Sequence, residues 1–276
     1  MTQIDLYQRV SLACSKLLTN AYSTSFSSGI KTLSSRFHDP VYAIYGFVRL
    51  ADEIVDTFHE HDKKVLFERF KKDTYWALEE KISLNPILES FQSVYHEFGM
   101  EQELVDAFLY SMELDLFETN YDEAGYKRYI YGSAEVVGLM CLHVFCQGDK
   151  VQYHSLRDDA CALGSAFQKI NFLRDIKSDF DERGRVYFPG VDYLTMTEND
   201  KKAIEADIQL DFDAGLRGIN RLPQEAKNGV LLAYLYYTRL FEHIKQAPLQ
   251  LIKEERVRVP DLEKLWIFVK LKCGLA

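Results

Sequence analysis

The sequence predicts an all-α fold in a single domain, and three observations predict it. Apolar residues recur at helical spacing along almost the whole chain, and nowhere do they alternate like a strand for long. Pro40, Pro86, Pro223 and Pro260 each precede an apolar-periodic segment, as first-turn prolines do. No solenoid repeat, low-complexity tract or linker rich in Gly, Pro or Ser interrupts residues 1–276, so the chain is expected to form one helical bundle.

The first element with readable bounds opens at Asp39-Pro40, an N-cap followed by a first-turn proline, and runs through Tyr42, Ile44, Tyr45 and Val48 to Asp56. The polar stretch 59–64 breaks it. Further helices are expected over 63–82, 86–98, 101–119, 124–147 and 153–180. The segment from Glu182 to Gly190 reads as a loop, and three more helices cover 199–220, 223–246 and 260–272.

Composition excludes some functions. With 33 Lys and Arg against 42 Asp and Glu, the net charge of −9 argues against nucleic acid as a partner. Hydrophobic residues make up 47% of the chain, enough for a substantial core, and 18 Phe with 17 Tyr make it rich in aromatic rings. Cys14, Cys141, Cys146, Cys161 and Cys273 show no metal-site spacing and read as reduced core cysteines of a cytoplasmic protein. The N-terminus has no apolar signal-peptide core, and no stretch approaches the ~20 uninterrupted apolar residues that span a bilayer. The expected location is the cytoplasm, with at most peripheral membrane contact.

Two carboxylate pairs carry the chemistry: Asp52-Glu-Ile-Val-Asp56 and Asp175-Ile-Lys-Ser-Asp179. A step of four residues is just over one helical turn, so each pair shares one helix face. Gln168 and Asn171 continue the face of the second pair. Oxygen-only sets suit hard divalent cations, and Mg²⁺ takes one or two protein carboxylates while keeping water and phosphate as its other ligands. The two aspartate helices are therefore expected to face each other across a central cavity and grip a diphosphate from both sides. Arg49 and Arg174 lie close enough in sequence to reach phosphate oxygens, with Arg185 and Tyr187 as further candidates. A lone DxxxD is usually a solvated helix face. Here both pairs sit inside apolar sequence, which favours function.

Other features take plainer readings. The acidic run Glu113, Asp115, Glu118, Asp122 and Glu123 reads as a solvated face, and His143 as a core histidine. Gly132, Ser133, Ala134 and Gly138 fit close helix packing and room for a substrate chain equally well. No serine-hydrolase or nucleotide-loop motif is present.

Four segments resemble the squalene/phytoene synthase family. They are Tyr22-Ser-Thr-Ser-Phe26; Ala43-Ile-Tyr45 running through Arg49 to Asp52 and Asp56; Tyr129-Ile-Tyr131 running to Val137-Gly138; and Leu163 through Gln168, Asn171, Arg174, Asp175 and Asp179 to Tyr187 and Pro189. The resemblance implies an isoprenoid-synthase helical bundle and the head-to-head (1′-1) joining of two prenyl diphosphates. It assigns Mg²⁺, or Mn²⁺, to Asp52, Asp56, Asn171, Asp175 and Asp179. Tyr22, Ser25, Phe26, Tyr45, Arg49, Val137, Gln168, Arg174 and Tyr187 would meet substrate, as would Tyr237 and Arg256 through an alignment with a short insertion. Thr24 stands where the family usually has Lys, so that cationic contact has no counterpart at this position.

On this resemblance the chain looks most like a bacterial phytoene synthase acting on geranylgeranyl diphosphate, the entry step of carotenoid biosynthesis. The alternatives are a C30 squalene or dehydrosqualene synthase acting on farnesyl diphosphate, a terpene cyclase, or a non-catalytic helical assembly protein. Aromatic walls would steady carbocations in a dry cavity. The terminal proton would leave to the departing diphosphate or to Tyr129. NADPH is not expected, nor is the C-terminal anchor of eukaryotic squalene synthases. Lys253, Arg256, Arg258, Lys264, Lys270 and Lys272 lie amid apolar residues and suggest contact with a membrane that receives the product.

Overall fold

The computed structural model describes residues 2–117, 120–185 and 187–275, apart from the side chains of residues 182 and 183. Thirteen α-helices are present among them and no strand. The first two, α1 (Gln3–Tyr22) and α2 (Thr24–Ile30), precede the first element delimited from sequence. They are followed by α3 (His38–Asp56), α4 (Lys63–Glu80), α5 (Pro86–Phe98), α6 (Gln102–Leu114), α7 (Glu123–Ile130) and α8 (Val136–Cys146). Then come α9 (Lys150–Arg183), α10 (Glu198–Arg221), α11 (Gln224–Gln246), α12 (Leu249–Glu254) and α13 (Asp261–Lys272).

Side-chain caps set many of these boundaries. Asp62, Asn85, Asp122 and Asp149 accept first-turn amides of α4, α5, α7 and α9, and Thr197 with Asp200 forms a capping box on α10. Asp39 is not the N-cap it was expected to be. A 3₁₀ turn, Ser35–Phe37, leads directly into α3, so the helix begins at His38 and Asp39 lies within its first turn. The helix expected over 101–119 stops at Leu114, while α9 exceeds its expected span at both ends and closes on Gly184, whose φ of +61° favours glycine.

Two apolar clusters form the core. In one, Phe47 of α3 stacks on Phe91 of α5 at 3.9 Å and leans on Phe108 of α6. In the other, Phe172 of α9, Phe212 of α10 and Phe241 of α11 are buried together. Between them lies a cavity of about 330 Å³ with walls from α2, α3, α8, α9, α10 and α11. The two aspartate helices, α3 and α9, therefore face a common cavity.

α7 and α8 run into each other through a π-helical turn, Tyr131–Glu135. The combined helix, Glu123–Cys146, is long and apolar enough by length and composition to cross a bilayer, although Lys127, Arg128 and Glu135 interrupt it and leave no run of ~20 uninterrupted apolar residues. With 61% of its apolar window buried and Leu139, Met140 and Val144 fully enclosed, it packs as a central helix of the bundle. α13 is the opposite case: it rests on α11, has no buried residue, and exposes Leu262, Leu265, Trp266 and Val269.

Candidate active site

Along the cavity α9 is apolar at one end, apart from Asp159, and polar at the other. Leu156, Ala160, Leu163, Gly164 and Phe167 line the cavity at spacings of three and four, and Gln168, Asn171, Asp175 and Asp179 continue toward the C-terminus of the helix. α3 has the same arrangement: Val41, Tyr45 and Val48 line the cavity, and Arg49, Asp52 and Asp56 follow.

Four rings mark the transition. Phe26 stacks on Tyr45 at 4.6 Å, and Phe167 stacks on Tyr237 at 4.0 Å. All four line the cavity, as does Val137. Burial pushes the Tyr45 phenol up; Arg49 opposes that shift, while Asp52 and Tyr237 add to it. Tyr45 on one wall thus feels the first aspartate pair and the tyrosine of the opposite wall. The Tyr237 hydroxyl donates to Asn171 Oδ1 at 3.3 Å, and Asn171 Nδ2 donates to Gln168 Oε1 at 3.4 Å.

Arginines attend both pairs. Arg49 lies 3.5 Å from Asp52, ion-pairs with Glu53, and sits 4.3 Å above the Tyr22 ring. Its Nε is buried with no hydrogen-bond partner, an unused cationic donor at the polar end of the cavity. Arg174 Nε donates to Asp175 at 2.9 Å, and Arg256 Nε lies 2.8 Å from the same carboxylate. Burial works against the charge on Arg49 and Arg174, but their carboxylate partners outweigh it and raise both pKa values.

Three expected site residues, Ser25, Tyr129 and Tyr187, lie away from the cavity wall. Ser25 lines a separate groove with Thr24, Tyr236 and Lys264, whereas its neighbour Phe26 lines the cavity. Tyr129 and Tyr187 are not on the cavity wall. The Tyr129 hydroxyl donates to both oxygens of Asp115 at 2.9 Å, Arg185 Nη1 reaches Asp115 at 2.7 Å, and Tyr187 receives a bond from Arg185 at 3.2 Å. Tyr187 stacks on Phe172 at 3.9 Å. Burial, then Asp115, holds the Tyr129 phenol well above its ordinary range, and burial with Asp115 pushes Tyr187 up to about 12. A proton so held makes Tyr129 a poor terminal base. Arg185 is likewise committed to Asp115, so the cluster braces the loop after α9 against the end of α6.

Asp115 therefore does not belong to a solvated face: its side chain is 6% exposed and ion-paired. The signal was available, because Leu114, Leu116 and Phe117 flank it just as apolar residues flank the two aspartate pairs. Within the same run, Glu113 pairs with Lys71, Asp122 caps α7, and Glu118 lies outside the described residues. His143 is a core histidine that bonds Glu101.

The donor set fits a hard divalent ion without making a preformed cage. Among the described residues no three carboxylate, thiol or imidazole side chains converge as a metal cluster. Mg²⁺ needs only one or two protein carboxylates when phosphate supplies other oxygens. Half-buried aspartates on two helices, with the carbonyl of Asn171 beside one pair, meet that requirement.

A model of the squalene/phytoene synthase family matches residues 19–263. The chain belongs to that family. It is 28% identical to phytoene synthase of Cereibacter sphaeroides over 64% of this chain and 51% of the relative, so it spans about half the length of that protein. Phytoene synthase of Rhodobacter capsulatus is 26% identical over 92% of this chain and 78% of its own, and presqualene diphosphate synthase of Rhodopseudomonas palustris 24% over 87% and 92%. A dehydrosqualene synthase crystal structure superposes with a TM-score of 0.80 at 19% identity, covering 98% of each chain, which establishes the shared fold. Family membership accounts for the pairing of an apolar cavity with two aspartate helices: the fold is that of the prenyltransferase-like isoprenoid synthases.

Proposed function

We propose that the protein joins two geranylgeranyl diphosphates head to head, through a cyclopropyl (prephytoene) diphosphate, to give phytoene. The length of the α9 wall supports this choice of substrate. The cavity-lining stretch of α9 runs from Leu156 to Phe167, eleven residues or about 17 Å of helix. An extended chain advances ~1.2 Å per bond, so the sixteen-carbon main chain of geranylgeranyl spans roughly 18 Å and the twelve-carbon chain of farnesyl roughly 13 Å.

Asp52, Asp56, Asp175, Asp179 and Asn171 would hold Mg²⁺, or Mn²⁺. Bound there, the ions neutralise the diphosphate and make it a better leaving group. Arg49, Arg174 and Arg256 would then grip phosphate oxygens. Phe26, Tyr45, Phe167 and Tyr237 present π-faces to cationic carbon without offering a nucleophile. The apolar cavity beyond them excludes water, which would quench the cation. The released diphosphate takes the final proton, because the Tyr129 hydroxyl is engaged with Asp115. Hydride from NADPH is not needed for a product that ends in proton loss.

The reading extends to a membrane partner. A C40 hydrocarbon does not dissolve in water, and α13 carries Leu262, Leu265, Trp266 and Val269 on one exposed face, with Lys270 and Lys272 nearby.

Product analysis tests the proposal. Purified protein with Mg²⁺ and geranylgeranyl diphosphate should yield a C40 hydrocarbon with a conjugated triene core without NADPH, and removal of Mg²⁺ by a chelator should abolish it. A C30 hydrocarbon from farnesyl diphosphate alone would move the assignment to squalene or dehydrosqualene synthesis. No hydrocarbon from either substrate would refute the catalytic reading.

A further inference from the structure

Three helices show where the cavity ends on the side away from the aspartate pairs. No described residue of α9 before Leu156, and none of α8 after Phe145, lines it. These two helices pack antiparallel: a Cβ on Gly164 would meet the Ala134 carbonyl oxygen at 2.9 Å, and one on Gly138 the Ala160 carbonyl oxygen at 3.3 Å. The same register brings Leu142 level with Leu156 and carries Phe145 three residues, about 4.5 Å, beyond that level. α10 also runs antiparallel to α9, since Gly215 abuts Leu163 and Gly218 abuts Asp159, which brings Leu222 level with Leu156. Phe145 is thus the deepest residue on its wall. Its ring is buried and meets Phe37 edge-on, with 5.5 Å between centroids. Phe37 is fully enclosed and ends a 3₁₀ turn that is tied to α11 from outside. Ser34 N–H donates to the Glu225 carbonyl at 2.9 Å, and Arg36 pairs with the Glu225 carboxylate.

We propose that Phe145, backed by Phe37, is the specificity-determining floor that limits how long a prenyl tail the cavity accepts. The floor presupposes the prenyl-diphosphate reading above and adds the residue that measures the tail. Burying apolar surface is favourable wherever space allows, so at an apolar end the limit is set by volume. One more isoprene unit adds four bonds, about 5 Å, to a chain that already matches the length of the α9 wall. That unit can be seated only by displacing the Phe145 ring. The ring would then press on Phe37, which is enclosed and anchored, and a close-packed core yields poorly to added volume. A shorter tail leaves the floor untouched.

Binding of unreactive thiodiphosphate analogues with C15, C20 and C25 tails, measured by calorimetry with Mg²⁺ present, tests the floor independently of turnover. The wild type should bind the C25 analogue roughly tenfold more weakly than the C20 analogue, or worse, and equal binding would overturn the floor. Phe145→Ala should narrow that gap to within about threefold while leaving C15 affinity unchanged, and Phe145→Leu should narrow it by less. Leu163→Ala widens the cavity at its side rather than its end, so it should keep the full gap; an equal narrowing there would overturn the floor. The melting temperature checks that each variant is folded. If Phe145→Ala is unfolded, a narrowed gap in Phe145→Leu supports the floor and an unchanged gap overturns it. A folded Phe145→Ala with the C25 penalty intact also overturns it, while leaving the prenyl-diphosphate reading in place. Failure of the wild type to bind any of the three analogues overturns both.

Discussion

Asp175 shows how a residue's partners define its task. It is held between Arg174 and Arg256, so the carboxylate assigned to the metal is already fixed in orientation by the two cations assigned to the diphosphate. Asp175→Asn is expected to lower kcat by about 10²-fold or more, in line with the loss of one preorganised electrostatic group, with a modest fall in melting temperature because Arg174 loses its ionic partner. Tyr129 should behave in the opposite way. Tyr129→Phe removes a hydrogen bond to a buried carboxylate and should cost about 1.5–3 kcal/mol of stability, with the pH–rate profile of the remaining activity unchanged. A collapse of kcat with unaltered melting would restore Tyr129 as the base. Glu135, in the π-helical turn, supplies a pH dependence. Burial raises its pKa from 4.5 to about 7, with Asp211 adding to the rise and Cys161, Lys169 and Arg157 opposing it. The folded state therefore keeps a proton that the unfolded chain releases, so this contribution is complete below pH 4.5 and is lost as pH rises through 7. Glu135→Gln should flatten the pH dependence of melting between pH 5 and 8 and make the protein more stable at pH 8 by roughly 1–3 kcal/mol. Melting curves at pH 5 and pH 8 decide this.

At the scale of elements, helices α3 and α9 were legible because their signal is local. Four-residue steps place the carboxylates on one face whatever the tertiary packing, and the apolar residues on the same faces announce the cavity. What the sequence could not show was how distant elements meet. The pairing of Asp115 with Arg185 crosses 70 positions and reassigned three residues: an acid read as solvated, an arginine proposed for phosphate, and a tyrosine proposed as a base. The start of α3 was misread for a related reason, since the preceding 3₁₀ turn already supplies the helical entry and Asp39 has no cap to make. The small residues of the central helix had two open explanations, and both apply at different positions. Gly138 lines the cavity, whereas a Cβ on Gly132 would lie 2.3 Å from the Ala107 carbonyl oxygen of α6. Gly132→Ala should therefore destabilise by about 1–3 kcal/mol, measured by denaturant titration, because the neighbour is backbone and cannot turn away.

For the whole molecule, two apolar clusters flank a cavity that neither fills, and the polar ends of α3 and α9 close one side of it. In the proposed reaction, ionisation would thereby be separated from carbon–carbon bond formation. Charge would be handled where arginines and aspartates meet, and the proposed cation would develop among rings that hold no competing nucleophile. Charge is also uneven along the chain. Residues 256–275 contain Arg256, Arg258, Lys264, Lys270 and Lys272 against Asp261 and Glu263, although the net charge overall is −9. Together with the exposed face of α13, this predicts binding to anionic vesicles that weakens with salt, and Leu265→Ser with Trp266→Ser should reduce it about tenfold. Sedimentation with vesicles reads the effect, and equal recovery of both proteins in the supernatant would refute the contact.

The central claim is that a cavity about one C20 tail long is coupled to two diphosphate-gripping helices. A competition assay tests it most directly: equal concentrations of farnesyl and geranylgeranyl diphosphate in one reaction with Mg²⁺ and no NADPH, and the hydrocarbons resolved by mass. The expected result is a predominantly C40 product, lost in Asp52→Asn and Asp175→Asn. A predominantly C30 product, or none at all, would contradict it.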